Sequence, residues 1–196
     1  MGKGRLEAFS DGVLAIIITI MVLEMKVPHG HDLASLAPLL PVFLSYLLSF
    51  IYLAIYWNNH HHLMQAVKKV NGATLWANMH LLFWLSLVPF ASGWMGENDF
   101  ATIPVAIYGS VLVMAAIAYF ILTQALIGLH GKDSTLAEAL GADRKGKISV
   151  VIYLVGISLT FLHPYWGCAL YLVVACIWLV PDQRFEKRLN AAKKEV

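Results

Sequence analysis

Charge is scarce in this sequence. Only 13% of its 196 residues are charged and 59% are hydrophobic, whereas a soluble domain carries about 25% charged residues. The formal net charge is +2, so the chain lacks the strong positive field that holds nucleic acid. We therefore predict a protein embedded in a membrane along most of its length. We expect a single domain over residues 1–196, with no nucleic-acid partner.

Cysteine and catalytic motifs are equally scarce. Cys168 and Cys176 lie about 12 Å apart along a helix, too far for a disulfide, and we predict that both are buried apolar residues. No nucleotide-binding loop, catalytic triad or metal-ligand spacing is present, so we predict no enzyme activity, no cofactor and no metal. The triplet His60–His62 does not favour zinc, because consecutive helical side chains point about 100° apart.

Six apolar runs make up most of the chain. They cover residues 8–27, 36–59, 73–94, 102–129, 148–162 and 165–181. Pro164 disfavours helix at the residue before it and separates the last two runs, which predicts a helical hairpin over 148–181. We expect an all-α integral membrane protein with six transmembrane helices and a short cytoplasmic tail over 182–196.

The placement of lysine and arginine predicts the orientation. If the N-terminus is cytoplasmic, thirteen of the fourteen lysine and arginine residues fall in inner segments and only Lys26 faces outward. Positive residues concentrate on the cytoplasmic side of membrane proteins. The asymmetry therefore predicts an N-in/C-in protein with an even number of spans.

The first apolar run is a poor membrane span. Its charge-free centre, from Gly12 to Leu23, covers about 18 Å of a hydrocarbon core that is about 30 Å thick. Asp11, Glu24 and Lys26 bound this centre. Charged residues at membrane depth usually face a protein interior or a water-filled path, which favours a place inside an assembly. The alternative is that Asp11 caps the helix and Lys26 reaches the interface.

One stripe of the first helix could line a pore. Gly12, Ile16, Thr19 and Leu23 are spaced four, three and four residues apart and share one helix face. If several copies met at an axis, apolar rings could close the pore by dewetting, and threonine oxygens could contact a cation. Alternatively, the threonine hydroxyl bonds its own helix and the isoleucine is packing. Periodicity cannot select the stripe, because "VLAIIITIMVL" is apolar on all sides.

The N-terminal motif carries a family resemblance. Arg5, Phe9, Ser10 and Asp11 form an R-x-x-x-F-S-D signature, followed by G-V-x-A-I-x-x-T, and "YWNNHH" ends the second run. The sequence resembles the prokaryotic branch of the lysosomal potassium channel family called transmembrane protein 175. The resemblance implies a homotetramer in the prokaryotic plasma membrane, with six helices per subunit and a pore lined by the first helix. It also implies a channel fold without a re-entrant filter loop, and the sequence has no T-V-G-Y-G-like segment.

The resemblance also assigns roles along the first helix. It places the narrow apolar ring on Ile16, a hydroxyl layer on Thr19 and a second apolar ring on Leu23, with Ile20 as a neighbouring candidate. Gly12 begins the same stripe.

Polar residues cluster at the cytoplasmic ends of the first three helices. Such groups must be satisfied internally within a membrane, so we expect a hydrogen-bond network that holds the first helix, with Asp11 and Arg5 as its charged members. The candidate members of this network are Arg5, Phe9, Ser10, Asp11, Trp57, Asn58, His61, Asn78 and His80.

These observations favour a potassium-preferring cation channel whose partners are copies of itself, the lipid bilayer and monovalent cations. The alternative is a proton-coupled or cation-coupled secondary transporter, in which His80 would be the deepest ionisable group. The absence of acidic residues near helix centres counts against it. Glu97 and Asp99 could concentrate cations at the outer mouth, or they form a solvated turn.

Overall fold

The computed structural model describes residues 2–131, 134, 136–137 and 143–179. The regular structure within these ranges is helical throughout. The predicted tail over 182–196 lies outside them. The helices are α1 (Lys3–Leu23), a 3-10 helix (Leu33–Leu39), α2 (Leu40–Ala66), α3 (Gly72–Ser86), α4 (Val88–Glu97), α5 (Thr102–His130), α6 (Arg144–Thr160) and α7 (Pro164–Leu179).

Four helical segments of the described chain are long and apolar enough to cross a membrane. They are Lys3–Leu23, Leu33–Ala66, Gly72–Glu97 and Thr102–His130. The last two predicted runs coincide with α6 and α7, which have 17 and 16 residues. Each of these two helices is about 25 Å long, shorter than a typical hydrocarbon core. The chain is therefore an all-helical membrane protein.

Prolines interrupt two of the predicted helices. The run over 73–94 is not one helix, because α3 ends at Ser86 and α4 begins at Val88 with Pro89 in its first turn. The second run opens with the 3-10 helix, which contains Pro38, and α2 then begins at Leu40 with Pro41 in its first turn. Proline lacks an N–H group and disfavours helix at the preceding residue, so both breaks follow from its position.

A capping box fixes where α3 begins. The Asn71 side chain accepts the Thr74 backbone N–H at 2.9 Å, and the Thr74 hydroxyl accepts the Asn71 backbone N–H at 2.9 Å. This reciprocal pair satisfies two N–H groups that the helix leaves without a partner. It sets the register of α3 and hence the direction in which Asn78 points.

Helix α5 lies at the centre of the bundle and α1 at its edge. α5 packs against α3, α4, α6 and α7, and α2 packs against α4 and α7. α6 and α7 form the predicted hairpin, with only residues 161–163 between them. α1 packs against α2, α3 and α4, which leaves its opposite side uncovered in the subunit.

The cysteine prediction is wrong for Cys176. Both cysteines are free, Cys168 is half-buried and Cys176 is exposed. A uniformly apolar helix gives no sequence signal for which side faces the bundle, which explains the error.

Close packing around Tyr171 predicts an effect of one glycine in α5. A Cβ at Gly109 would lie 2.0 Å from the Tyr171 hydroxyl oxygen, whereas no atom lies within 4 Å of a Cβ at Gly128. Gly109→Ala must displace a fully buried ring, so we expect it to lower the free energy of unfolding by about 1–3 kcal/mol. Gly128→Ala, in the same helix, should raise it by about 0.5–1 kcal/mol. Thermal unfolding in detergent compares the two, and equal stability would contradict this packing.

Candidate functional site

Helix α1 has one buried face and one exposed face. Leu6, Ser10, Leu14, Ile17 and Met21 are buried against the bundle. The predicted stripe lies on the opposite side, where Ile16 is 59% exposed, Ile20 43% and Leu23 80%. Gly12 and Thr19 are also exposed. The five predicted pore-lining residues therefore share the uncovered side of the subunit.

The Thr19 side chain is exposed, and its hydroxyl group already donates a hydrogen bond. Its oxygen lies 3.1 Å from the Ala15 carbonyl oxygen and 2.9 Å from that of Ile16, and it donates to its own helix backbone. The remaining lone pairs of the oxygen can only accept. Bonding to the helix and contacting a cation are thus compatible roles for this side chain.

A buried hydrogen-bond chain joins α1, α3 and α2 at one end of the bundle. The Ser10 hydroxyl donates to the Leu6 carbonyl at 2.9 Å, and the Asn78 amide nitrogen donates to the Ser10 oxygen at 2.9 Å. The Asn78 amide oxygen lies 2.9 Å from Nε2 of His60. Because this oxygen can only accept, Nε2 of His60 carries the proton. Ser10, His60 and Asn78 are at most 1% exposed, so the chain is a buried connection that anchors α1 to α3 and α2.

A second set of contacts lies at the rim of the same end. The Trp57 indole N–H donates to the Asp11 carboxylate at 3.0 Å, and the Trp57 ring stacks on His61 with centroids 5.7 Å apart. His61 also lies 2.8 Å from the Gln65 amide nitrogen and 3.9 Å from a Glu7 carboxylate oxygen. Asp11 is therefore held by α2 and does not simply cap its own helix.

The structure does not bring every predicted member into this network. Arg5 is exposed, Phe9 is 48% exposed, and neither Arg5 nor Asn58 makes a side-chain hydrogen bond to the described residues. His80 accepts the Trp84 indole N–H at 2.9 Å, one turn along its own helix. The predicted network did not include His60 or Glu7. His60 lay within the histidine triplet, but its inward direction depends on the packing of α2.

The outer end of α1 is tied to α4 by an ion pair. The Lys26 ammonium lies 2.9 Å from a Glu97 carboxylate oxygen. The Glu24 carboxylate lies against Gly93, where a Cβ would be 2.4 Å from its Oε2 atom. These side chains and Leu23 line an open cavity of about 540 Å³. Loss of hydration, and then the charge of Glu97, raise the pKa of Glu24 above its ordinary value.

The raised pKa of Glu24 predicts a pH-dependent effect on stability. The folded protein disfavours the charged form of Glu24, so the ionised carboxylate lowers the free energy of unfolding at neutral pH. This destabilisation disappears as the pH falls through the folded-state pKa of Glu24. We expect Glu24→Gln to raise the melting temperature slightly at pH 7. This gain should vanish in acid.

Asp32 provides a control of opposite sign for that experiment. Hydrogen bonds from Ser35 lower the pKa of its carboxyl group, so its stabilising contribution is present above the ordinary pKa and is lost as the pH falls. Asp32→Ala should therefore lower the melting temperature at pH 7 and have little effect in acid. A gain for Glu24→Gln that is independent of pH would contradict this assignment.

Comparison with known proteins identifies the family. The family model described as "Endosomal/lysosomal potassium channel TMEM175" matches residues 5–89. A potassium channel of Chryseobacterium is 60% identical over 97% of this chain and 99% of its own length. The chain is a prokaryotic member of the TMEM175 family. The resemblance in the R-x-x-x-F-S-D motif is thus confirmed, and the family is one of ion channels rather than enzymes.

Two further TMEM175 relatives extend the similarity to the whole fold. A potassium channel of Chamaesiphon minutus is 30% identical over 88% of this chain and 91% of its own length. The crystal structure of a lysosomal potassium-selective channel TMEM175 homolog from Chamaesiphon minutus superimposes with a TM-score of 0.79 at 29% identity, covering 92% of this chain and 97% of that one. The TMEM175 match over 5–89 covers α1 from Arg5 onward and all of α2 and α3, the helices joined by the buried hydrogen-bond chain.

Proposed function

We propose that this protein is a potassium-preferring cation channel in which four copies place α1 around a common axis. Each copy is one domain over residues 1–196 with six membrane spans, N-in/C-in, in the prokaryotic plasma membrane. The observation that carries the proposal is the exposed face of α1, which holds Ile16, Thr19 and Leu23 on the side opposite to the bundle. The relatives described above, which are potassium channels by name, support the permeant ion.

A water-filled axis suits the exposed face of α1 better than lipid does. Its charge-free centre is about 18 Å long, so lipid on that side would meet Asp11 or Glu24 within the hydrocarbon core. The Trp57 indole N–H donates to the Asp11 carboxylate, and the Glu24 carboxylate lies against Gly93. Charges fixed at such depth are tolerated where water reaches them.

The rings along the axis differ in chemistry. Ile16 and Leu23 would form two apolar constrictions, and Thr19 would form a ring of hydroxyl oxygens between them. An apolar constriction can stop ion flow by dewetting without a moving plug. Ile20 lies beside this stripe. Gly12 has no side chain, and a Cβ added there would have no other atom within 4 Å, so this residue would leave the inner entrance wide.

The transporter alternative gains no support from the described helices. Coupled carriers place ionisable residues near the membrane midplane. Among the described helices, aspartate and glutamate occur at Glu7 and Asp11 in the first half of α1 and at Glu97, the last residue of α4. His80, the carrier's candidate, bonds Trp84 on its own helix.

Recording from the purified protein in a planar bilayer tests the proposed function. A channel gives discrete current steps, and with potassium on one side and sodium on the other its reversal potential reports the preference. We expect steps and a potassium preference. Saturable flux without steps would contradict the proposal and favour a carrier.

A variant pair tests the role of the hydroxyl layer. We expect Thr19→Val to reduce the potassium preference, because it removes the outward oxygen while keeping the side-chain volume. Thr19→Ser retains the oxygen and should keep most of the preference. Equal reversal potentials for both variants and the wild type would remove Thr19 from the selectivity mechanism.

A further inference from the structure

The N-terminal turn of α6 carries two exposed cations, Arg144 and Lys147. Phe100, just before α5, packs against Tyr165 at the start of α7 with ring centroids 6.1 Å apart, so the outer ends of these helices are level. α6 runs from this end for 17 residues. Arg144 and Lys147 therefore lie about 24 Å and 20 Å from the outer end of the helix. In a core about 30 Å thick they would be at the inner edge of the hydrocarbon.

Neither side chain forms an ion pair within the described part of the chain. Arg144 and Lys147 are exposed and neither is within salt-bridge distance of a described carboxylate. Asp143, the acidic neighbour, accepts the Gly146 backbone N–H at 3.2 Å and so caps α6. Cations at this depth are stable only when an anion or water reaches them.

An apolar groove opens beside Lys147, one turn along α6 from Arg144. It lies between α5 and α6 and has a volume of about 340 Å³, within the range of roughly 300–1,000 Å³ seen for small-molecule sites. Its apolar walls are Ala116, Ile117 and Phe120 from α5 and Val150 from α6, and Asp143, Gly146 and Lys147 at the start of α6 also line it. Further along α6, Ile148 and Val151 are more than half exposed, as expected for a surface that faces lipid tails.

We propose that this groove binds an anionic phospholipid of the inner leaflet, with its phosphate at Arg144 and Lys147 and part of an acyl chain between α5 and α6. The charge complementarity and the depth of the cations both select this occupant, since basic pockets between helices on the cytoplasmic side hold anionic headgroups. The inference rests on the proposed membrane orientation of the chain but not on conduction.

Counting of retained lipid tests the inference and requires no current. The full-length protein is placed in vesicles of equal parts phosphatidylglycerol and phosphatidylcholine and extracted in mild detergent, and its bound lipids are counted by mass spectrometry. We expect enrichment of phosphatidylglycerol in the wild type. Arg144→Gln combined with Lys147→Gln should reduce that enrichment about 25-fold, because each interfacial cation contributes about fivefold in affinity.

Two control variants distinguish binding of the lipid in this groove from nonspecific attraction of anionic lipid to positive charge. Lys68→Gln combined with Lys69→Gln removes the same charge from the loop between α2 and α3 and should leave the enrichment unchanged. Val150→Trp fills the groove, keeps both cations and should lower phosphatidylglycerol retention at unchanged melting temperature. Three results would overturn the inference: no enrichment in the wild type, equal losses in the two glutamine pairs, or enrichment that appears only after removal of residues 182–196, which would make the chain's own tail the occupant.

Discussion

Ile16→Asn is expected to raise the single-channel conductance of the channel about fivefold. Ile16 is 59% exposed on the uncovered face of α1, and four copies of its side chain would form an apolar constriction in the proposed pore. An asparagine of similar size keeps water in the ring, and lowering the barrier to ion passage by about 1 kcal/mol raises the rate about fivefold. Single-channel recording in symmetrical potassium measures the change.

Two variants control this experiment. Ile16→Val keeps the ring apolar and should change the conductance far less than asparagine does. Ile20→Asn moves the polar group to the neighbouring position on the exposed face. If this variant raised the conductance more than Ile16→Asn does, the constriction would be assigned to Ile20 instead. Unchanged conductance in Ile16→Asn would remove this residue from the ion path.

Asn78→Ala is expected to lower the free energy of unfolding by about 3 kcal/mol. The change breaks the buried chain at its centre and leaves the Ser10 oxygen without its donor and the His60 Nε2–H without its acceptor. Each buried polar group that loses its partner costs about 1–3 kcal/mol. For a chain of this size the melting temperature should fall by about 6–12 °C, measured by thermal unfolding in detergent.

Asn58→Ala is the matched control for that prediction. It makes the same change at a half-buried position of α2 where the asparagine side chain has no hydrogen bond within the described residues. Its effect should stay within about 0.5 kcal/mol. Similar losses in the two variants would mean that the buried chain from Ser10 to His60 does not anchor α1.

Features that depend on composition and local rules could be predicted from the sequence. Low charge and long apolar runs predicted a membrane protein, and Pro164 predicted the break between α6 and α7. The motif from Arg5 to Asp11 predicted the family. These inferences require only propensities and residue types, so packing does not alter them.

Features that depend on packing could not be predicted. The split of the third run at Leu87 required knowing that α4 would begin at Val88, with Pro89 in its first turn, since a proline can also follow the end of a helix. The sequence placed Asn78 and His60 near one another in depth, but their pairing depends on the rotation of α2 and α3. A side chain such as His80, at similar depth, turns instead toward Trp84.

The face of α1 is the most informative case. A run that is apolar on all sides carries no periodic signal, so the stripe of Gly12, Ile16, Thr19 and Leu23 came from spacing and from the resemblance. In the folded subunit the contacts with α2, α3 and α4 bury the opposite side. Only tertiary packing distinguishes the two faces of this helix.

Cysteine modification at Thr19 during recording tests most directly whether α1 faces the ion path. In a background with Cys168→Ser and Cys176→Ser, a water-soluble cationic methanethiosulfonate reagent is applied to Thr19→Cys and to Val151→Cys, which is 60% exposed on α6. We expect a rapid and irreversible loss of current for Thr19→Cys and no change for Val151→Cys. Undiminished current through Thr19→Cys, under conditions in which mass spectrometry shows that the thiol is modified, would contradict this expectation.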